Sequence, residues 1–103
     1  MTNNTNTGFI AYLTNYNVDF KNILKLAESV RFDVCDFSNG TLFFPDEEDG
    51  AFYYTGDLEN GDIAETKKFF ISLGFKGARF RAYSCEYLNG GVSQSKICDC
   101  TLI

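Results

Sequence analysis

GARFRAYSCEYLNGGVSQSKICDCTLI, Gly77 to Ile103, alternates polar with apolar residues on both sides of Asn89-Gly90-Gly91. That is the pattern of two strands joined by a tight turn, so the chain is expected to end in a long hairpin. Everything upstream must then suit an antiparallel sheet. AFYYTG, 51–56, reads as a strand of that sheet, and so do FDVCDFS and TLFF, which flank Asn39-Gly40. Asn-Gly is the dipeptide that supplies the positive φ angles of a type I′ turn, and a two-residue loop there would set Cys35 opposite Phe44. GFIAYLT, 8–14, gives a first strand.

Two segments break the alternation. In VDFKNILKLAESVR, 18–31, the apolar positions Phe20, Ile23, Leu24, Ala27 and Val30 follow helical spacing, with Asn17 as the expected N-cap. Asp62 with Glu65 three residues on forms a capping box for a second helix over 63–73, and Gly74 stands where a helix of that length would stop. The order expected is β-α-β-β-β-α-β-β: an α+β domain, mostly antiparallel sheet with two helices packed on it. Residues 1–7, Met-Thr-Asn-Asn-Thr-Asn-Thr, read as a disordered tail, and 8–103 as one domain. A chain of 103 residues is long enough for a single core and too short for two.

With 45% hydrophobic and 17% aromatic residues the composition is that of a folded domain rather than a disordered chain. No apolar run approaches the roughly 20 residues that span a bilayer, and the start is polar rather than signal-like. The expected location is the cytoplasm, where thiols stay reduced.

Charge is distributed unevenly. Asp33, Asp36, Asp46, Glu47, Glu48, Asp49, Asp57, Glu59, Asp62 and Glu65 lie between Phe32 and Thr66 with no Lys or Arg among them, while all nine basic residues lie outside that block. Asp62 and Glu65 are explained as caps. The run PDEEDGAFYY, Pro45 to Tyr54, is not: four consecutive acids repel one another, and a basic partner would offset that repulsion. Asp46, Glu47, Glu48 and Asp49, helped by Asp57 and Glu59, are therefore the candidate partner-binding residues, with Tyr53 and Tyr54 as aromatic anchors.

Catalysis is not expected, because the chain contains no His and any Cys or Ser nucleophile would lack its commonest base. The four cysteines read first as plain free thiols; the competing reading is zinc held by Cys98 and Cys100, which are two apart on a strand and share a face, with Cys35 or a carboxylate such as Asp99 as third ligand and Cys85 as the least certain, and regulatory disulfides come after both. Arg79 and Arg81 alternate with Phe80 and Tyr83 as in single-strand nucleic-acid platforms, yet two arginines in an acidic protein make a poor phosphate track. No direct nucleic-acid partner is expected.

The size, the sequence pI of about 4.5 and the clustered carboxylates resemble the small acidic proteins by which phages and plasmids disarm bacterial defence, anti-CRISPR and DNA-mimicking antirestriction proteins. IAYLTNYN, 10–17, is similar to the I-A-x-L-x-x-Y-N opening of antirestriction proteins, without their Gly- and Trp-containing continuation. The resemblance implies a monomeric inhibitor, cytoplasmic in a host bacterium, that binds a defence nuclease such as a CRISPR effector and blocks nucleic-acid loading. The alternative is a protein-interaction module, plain or zinc-stabilised, without nucleic-acid mimicry.

Overall fold

The computed structural model describes residues 6–56, 63–88 and 90–103. Its elements are β1 (Asn6–Thr14), α1 (Phe20–Leu26), β2 (Ser29–Arg31), β3 (Val34–Phe37), β4 (Gly40–Phe43), β5 (Phe52–Gly56), α2 (Ile63–Ser72), β6 (Arg79–Leu88) and β7 (Gly91–Thr101). The strands form one antiparallel sheet in the order β2-β3-β4-β5-β1-β6-β7, so this is an α+β fold with one strand more than the sequence pattern suggests.

The extra strand comes from the first helix, which is shorter than the expected 18–31. Asp19, not Asn17, caps it, accepting from the Lys21 N–H at 3.0 Å. Asn17 instead bridges to Lys76. After Ala27 turns extended, the Glu28 N–H donates to the Asp36 carbonyl and Ser29–Arg31 pair with β3. A waiting sheet edge takes backbone groups that a helix end would leave unpaired, and β-branched Val30 suits a strand. α2 matches its expected span. Gly74, at φ 101°, closes it in a Schellman motif: the Gly74 N–H donates to Ile71 and the Phe75 N–H to Phe70. Asp62 lies outside the described residues, so the capping box does too.

The hairpin register also differs from expectation. Phe37 pairs with Gly40, so the loop is Ser38-Asn39 and Cys35 faces Leu42 rather than Phe44. Neither Asn39 nor Gly40 has positive φ. Gly40 is consumed by packing instead, since a Cβ there would collide with the Thr55 carbonyl oxygen and the hydroxyl end of Tyr54. The two-residue slip keeps every side chain on its expected face.

Both helices cover the same face. Phe9, Ala11, Leu13, Cys35, Leu42, Phe52, Tyr54, Phe80 and Ala82 bury there with Ile23, Phe70, Leu73 and Phe75. Rings dominate the contact, with Phe52 and Phe75 edge-on at 4.9 Å and Phe70 between Tyr54 and Phe80 at 5.2 and 5.5 Å. Among the described residues the opposite face of the sheet carries no helix. Among the described residues no helix is long and apolar enough to cross a membrane.

Candidate partner-binding surface

The acidic run forms the loop between β4 and β5, at the sheet end where β3 begins and β4 stops. Its four acids are exposed but not equivalent. Asp46 folds back on the loop, accepting from the Glu48 and Asp49 N–H groups at 3.1 and 2.7 Å, while the Gly50 N–H donates to its carbonyl. Glu47, Glu48 and Asp49 are left facing solvent. Asp33 joins them, because its carbonyl accepts from the Phe44 N–H at 2.7 Å. β5 then carries the chain away from this end; Asp57 and Glu59 lie outside the described residues.

The two proposed aromatic anchors part company. Tyr54 is 1% exposed in the core, and burial pushes its phenol well above the usual tyrosine range. It cannot reach a partner, a consequence of alternation: Tyr54 shares a face with Ala11 and Leu42. Tyr53 points to the uncovered face and packs edge-on against Tyr12 at 4.8 Å. Burial, followed by the charges of Cys85, Tyr83 and nearby Asp49, raises the Tyr12 phenol.

One residue was missed in sequence reading. Phe32 is 103% exposed, at the tip between β2 and β3, with φ 50°. Arg31 pairs with Val34, so Phe32-Asp33 is a two-residue loop with positive φ at its first position only, where a type II′ turn calls for glycine. The bare dipeptide Phe-Asp carries no turn signal, so only the loop's length would have hinted at it. Phe20, Leu24, Leu26 and Val30, all over 40% exposed, come from the adjoining α1 and β2. The Phe32 tip itself is bordered by Asp33 and, through the Asp33–Phe44 backbone bond, by the 46–49 loop.

Farther along the uncovered face, Tyr12, Arg81, Tyr83 and Gln94 line a hollow of about 280 Å³. The Arg81 guanidinium donates to the Tyr83 hydroxyl at 2.6 Å and lies 5.8 Å from its ring centre, with its Nε buried and unpartnered. Arg79 is tied to Asp99 at 3.1 Å, which holds the Asp99 carboxyl below the usual range. Phe80 does not join this row, since it belongs to the core. A larger hollow, about 600 Å³, is lined by Phe37, Ser38, Asn39, Gly40, Thr41, Thr55 and Gly56, with no titratable side chain.

The four cysteines do not converge. Cys35 lies on β3, five strand spacings from β7, about 24 Å at about 4.8 Å each. Cys85 is buried on the uncovered face, opposite Gly8, while Cys98 and Cys100 face the helices. Cys35 and Cys85 therefore cannot complete a site with the other two, and no group of three or more Cys, Asp or Glu suited to a metal occurs among the described residues. Cys98 and Cys100 themselves stand 3.6 Å apart. No family model, curated protein or solved structure matches the chain.

Proposed function

We propose that this chain is a non-catalytic binding protein whose Phe32-tipped, acid-bordered end docks on a basic protein surface that normally receives nucleic acid. The observation that carries this reading is Phe32: a fully exposed phenylalanine held in a left-handed conformation next to solvent-facing Asp33, Glu47, Glu48 and Asp49. Strain and exposure together at one large apolar residue have no folding benefit, and such outliers gather where function retains them. A central aromatic with charges around it is also the usual anatomy of an energetic interface. Given the resemblance to phage and plasmid anti-defence inhibitors, a CRISPR effector or restriction nuclease is the first target class, with inhibition by blocking nucleic-acid loading.

The test measures binding and inhibition of purified defence nucleases, each with and without its guide or DNA, by the parent protein, by Phe32→Ala and by the triple variant Glu47→Gln, Glu48→Gln, Asp49→Asn. The expected outcome is competition with nucleic acid, loss of about 2 kcal/mol or more in Phe32→Ala, and salt-sensitive weakening in the triple variant. A target bound equally by parent and both variants would remove this surface from the account. Binding of single-stranded oligonucleotide by the free protein, abolished by Arg81→Ala, would transfer the function to the Tyr12–Arg81–Tyr83 row instead.

A further inference from the structure

The remaining chemistry on the molecule is the cysteine pair on β7. Cys98 and Cys100 lie opposite Ala82 and Phe80, half-buried at the free edge of the sheet. Their sulfurs are already in contact at 3.6 Å. At the zinc–thiolate length of about 2.3 Å, sulfurs that far apart subtend about 103° at a shared ion, close to the tetrahedral angle.

A disulfide fits the same pair less well. Alternate residues of an extended strand have Cα atoms about 6.7 Å apart, at the outer limit of the range for a bridge. The sulfurs would also have to close from 3.6 Å to about 2.05 Å. A bulge at Ile97 precedes the pair, but from Cys98 to Cys100 the pairing with β6 is regular and keeps the strand extended and the dithiol open.

From this geometry we infer that Cys98 and Cys100 chelate a thiophilic d¹⁰ cation, Zn²⁺ in the cell, as one edge of a tetrahedron whose other two positions are open. Lys67 of α2 lies against both sulfurs, Cys100 foremost, and its ammonium has to move aside when an ion takes its place. Asp99 is no third ligand, since it points to the other face and is held by Arg79 and Lys96. The open positions take water or ligands from outside the chain, so the ion exchanges more readily than one in a closed four-thiolate site. Thiolate donors and a tetrahedral bite exclude Mg²⁺ and Ca²⁺.

Reduced, metal-free protein is titrated with Cd²⁺ and followed by thiolate-to-metal charge-transfer absorption, with Zn²⁺ in competition. One ion per chain is expected, displaced by Zn²⁺. Cys98→Ser and Cys100→Ser should each weaken binding on the order of a hundredfold, while Cys85→Ala leaves it unchanged. Should a variant fold poorly, alkylation of the unaltered protein read by peptide mass spectrometry gives the same answer: Zn²⁺ should protect Cys98 and Cys100 and leave Cys35 and Cys85 at their metal-free rates. Absence of charge transfer in the parent protein, its survival when Cys98→Ser and Cys100→Ser are combined, or equal protection of all four thiols overturns the inference. None of these residues belongs to the Phe32 surface, so either proposal can fail without the other.

Discussion

Phe32 joins backbone strain to exposure, and a substitution can separate the two. For a residue with a Cβ the left-handed region is unfavourable by about 1–2 kcal/mol, and glycine is free of it. Phe32→Gly removes the strain and, because the ring is fully exposed, no core contact. Denaturant unfolding should therefore find this variant as stable as its parent or more so, by up to about 1 kcal/mol, while partner binding falls. A stability loss above about 1 kcal/mol would mean that the ring packs on something in the free protein. Gly40 makes the opposite case: Gly40→Ala drives a Cβ into the Thr55 backbone and the Tyr54 ring, and should cost about 1–3 kcal/mol. Tyr54 adds a pH dependence. Its phenol titrates higher in the folded than in the unfolded chain, so the folded state holds its proton more tightly and stability is complete below pH 10. It should decline as pH rises from 10 toward the folded-state value, and Tyr54→Phe should make that decline shallower in chemical denaturation at stepped pH.

Among the elements, the acidic loop and α1 show where sequence reading succeeds and where it stops. Asp46 serves the loop, and Glu47, Glu48 and Asp49 do not. Asp46→Ala should cost about 1 kcal/mol, as for a lost cap, whereas the triple neutralisation of the other three should change stability by about 0.5 kcal/mol or less. Equal effects would make the loop a uniform charge cluster. Asp19→Ala should likewise cost about 1 kcal/mol, and Asn17→Ala clearly less, because only the Asn17 backbone is engaged, with Lys76. The terminal hairpin, α2 with its Gly74 stop and the shared face of Cys98 and Cys100 were legible because each rests on local periodicity. What was not legible depended on partners distant in sequence. Residues 27–31 satisfy helical spacing until β3 offers its edge, and Asn39-Gly40 reads as a turn until Tyr54 needs the space above Gly40. At the candidate surface, exposure of the carboxylates followed from composition, but Tyr54 as core and Phe32 as tip depend on strand register and loop length, which composition does not specify.

For the whole molecule, strand order converts the uneven charge of the sequence into an uneven distribution in space. The acid-rich stretch from Asp33 onward builds β3, β4, β5 and the loop between the last two, on one side of β1; β6 and β7, on the other, carry Arg79, Arg81 and Lys96 against Glu86 and Asp99. The same order sets how the domain opens. β1 is paired on both sides, with Phe9–Leu13 matched to β5 and to β6, and Phe9, Ala11 and Leu13 sealed beneath the helices. β2 is three exposed residues paired on one side only. Exchange of β1 amides therefore requires disruption of the whole sheet, which for a domain of this size costs about 5–15 kcal/mol. Ser29–Arg31 can detach by losing little more than their pairing with β3 and the exposed Arg31–Asp36 contact of 3.1 Å. Native-state hydrogen exchange should place β1 slowest and β2 fastest among the strands, separated by on the order of a thousandfold or more in rate. β7 should split, inward-bonded amides slow and edge-facing amides fast. Partner binding at the Phe32 end should then slow exchange in β2 selectively. Protection of β2 equal to that of β1 in the free protein would mean that this edge is covered in solution, and the Phe32 surface would already be occupied.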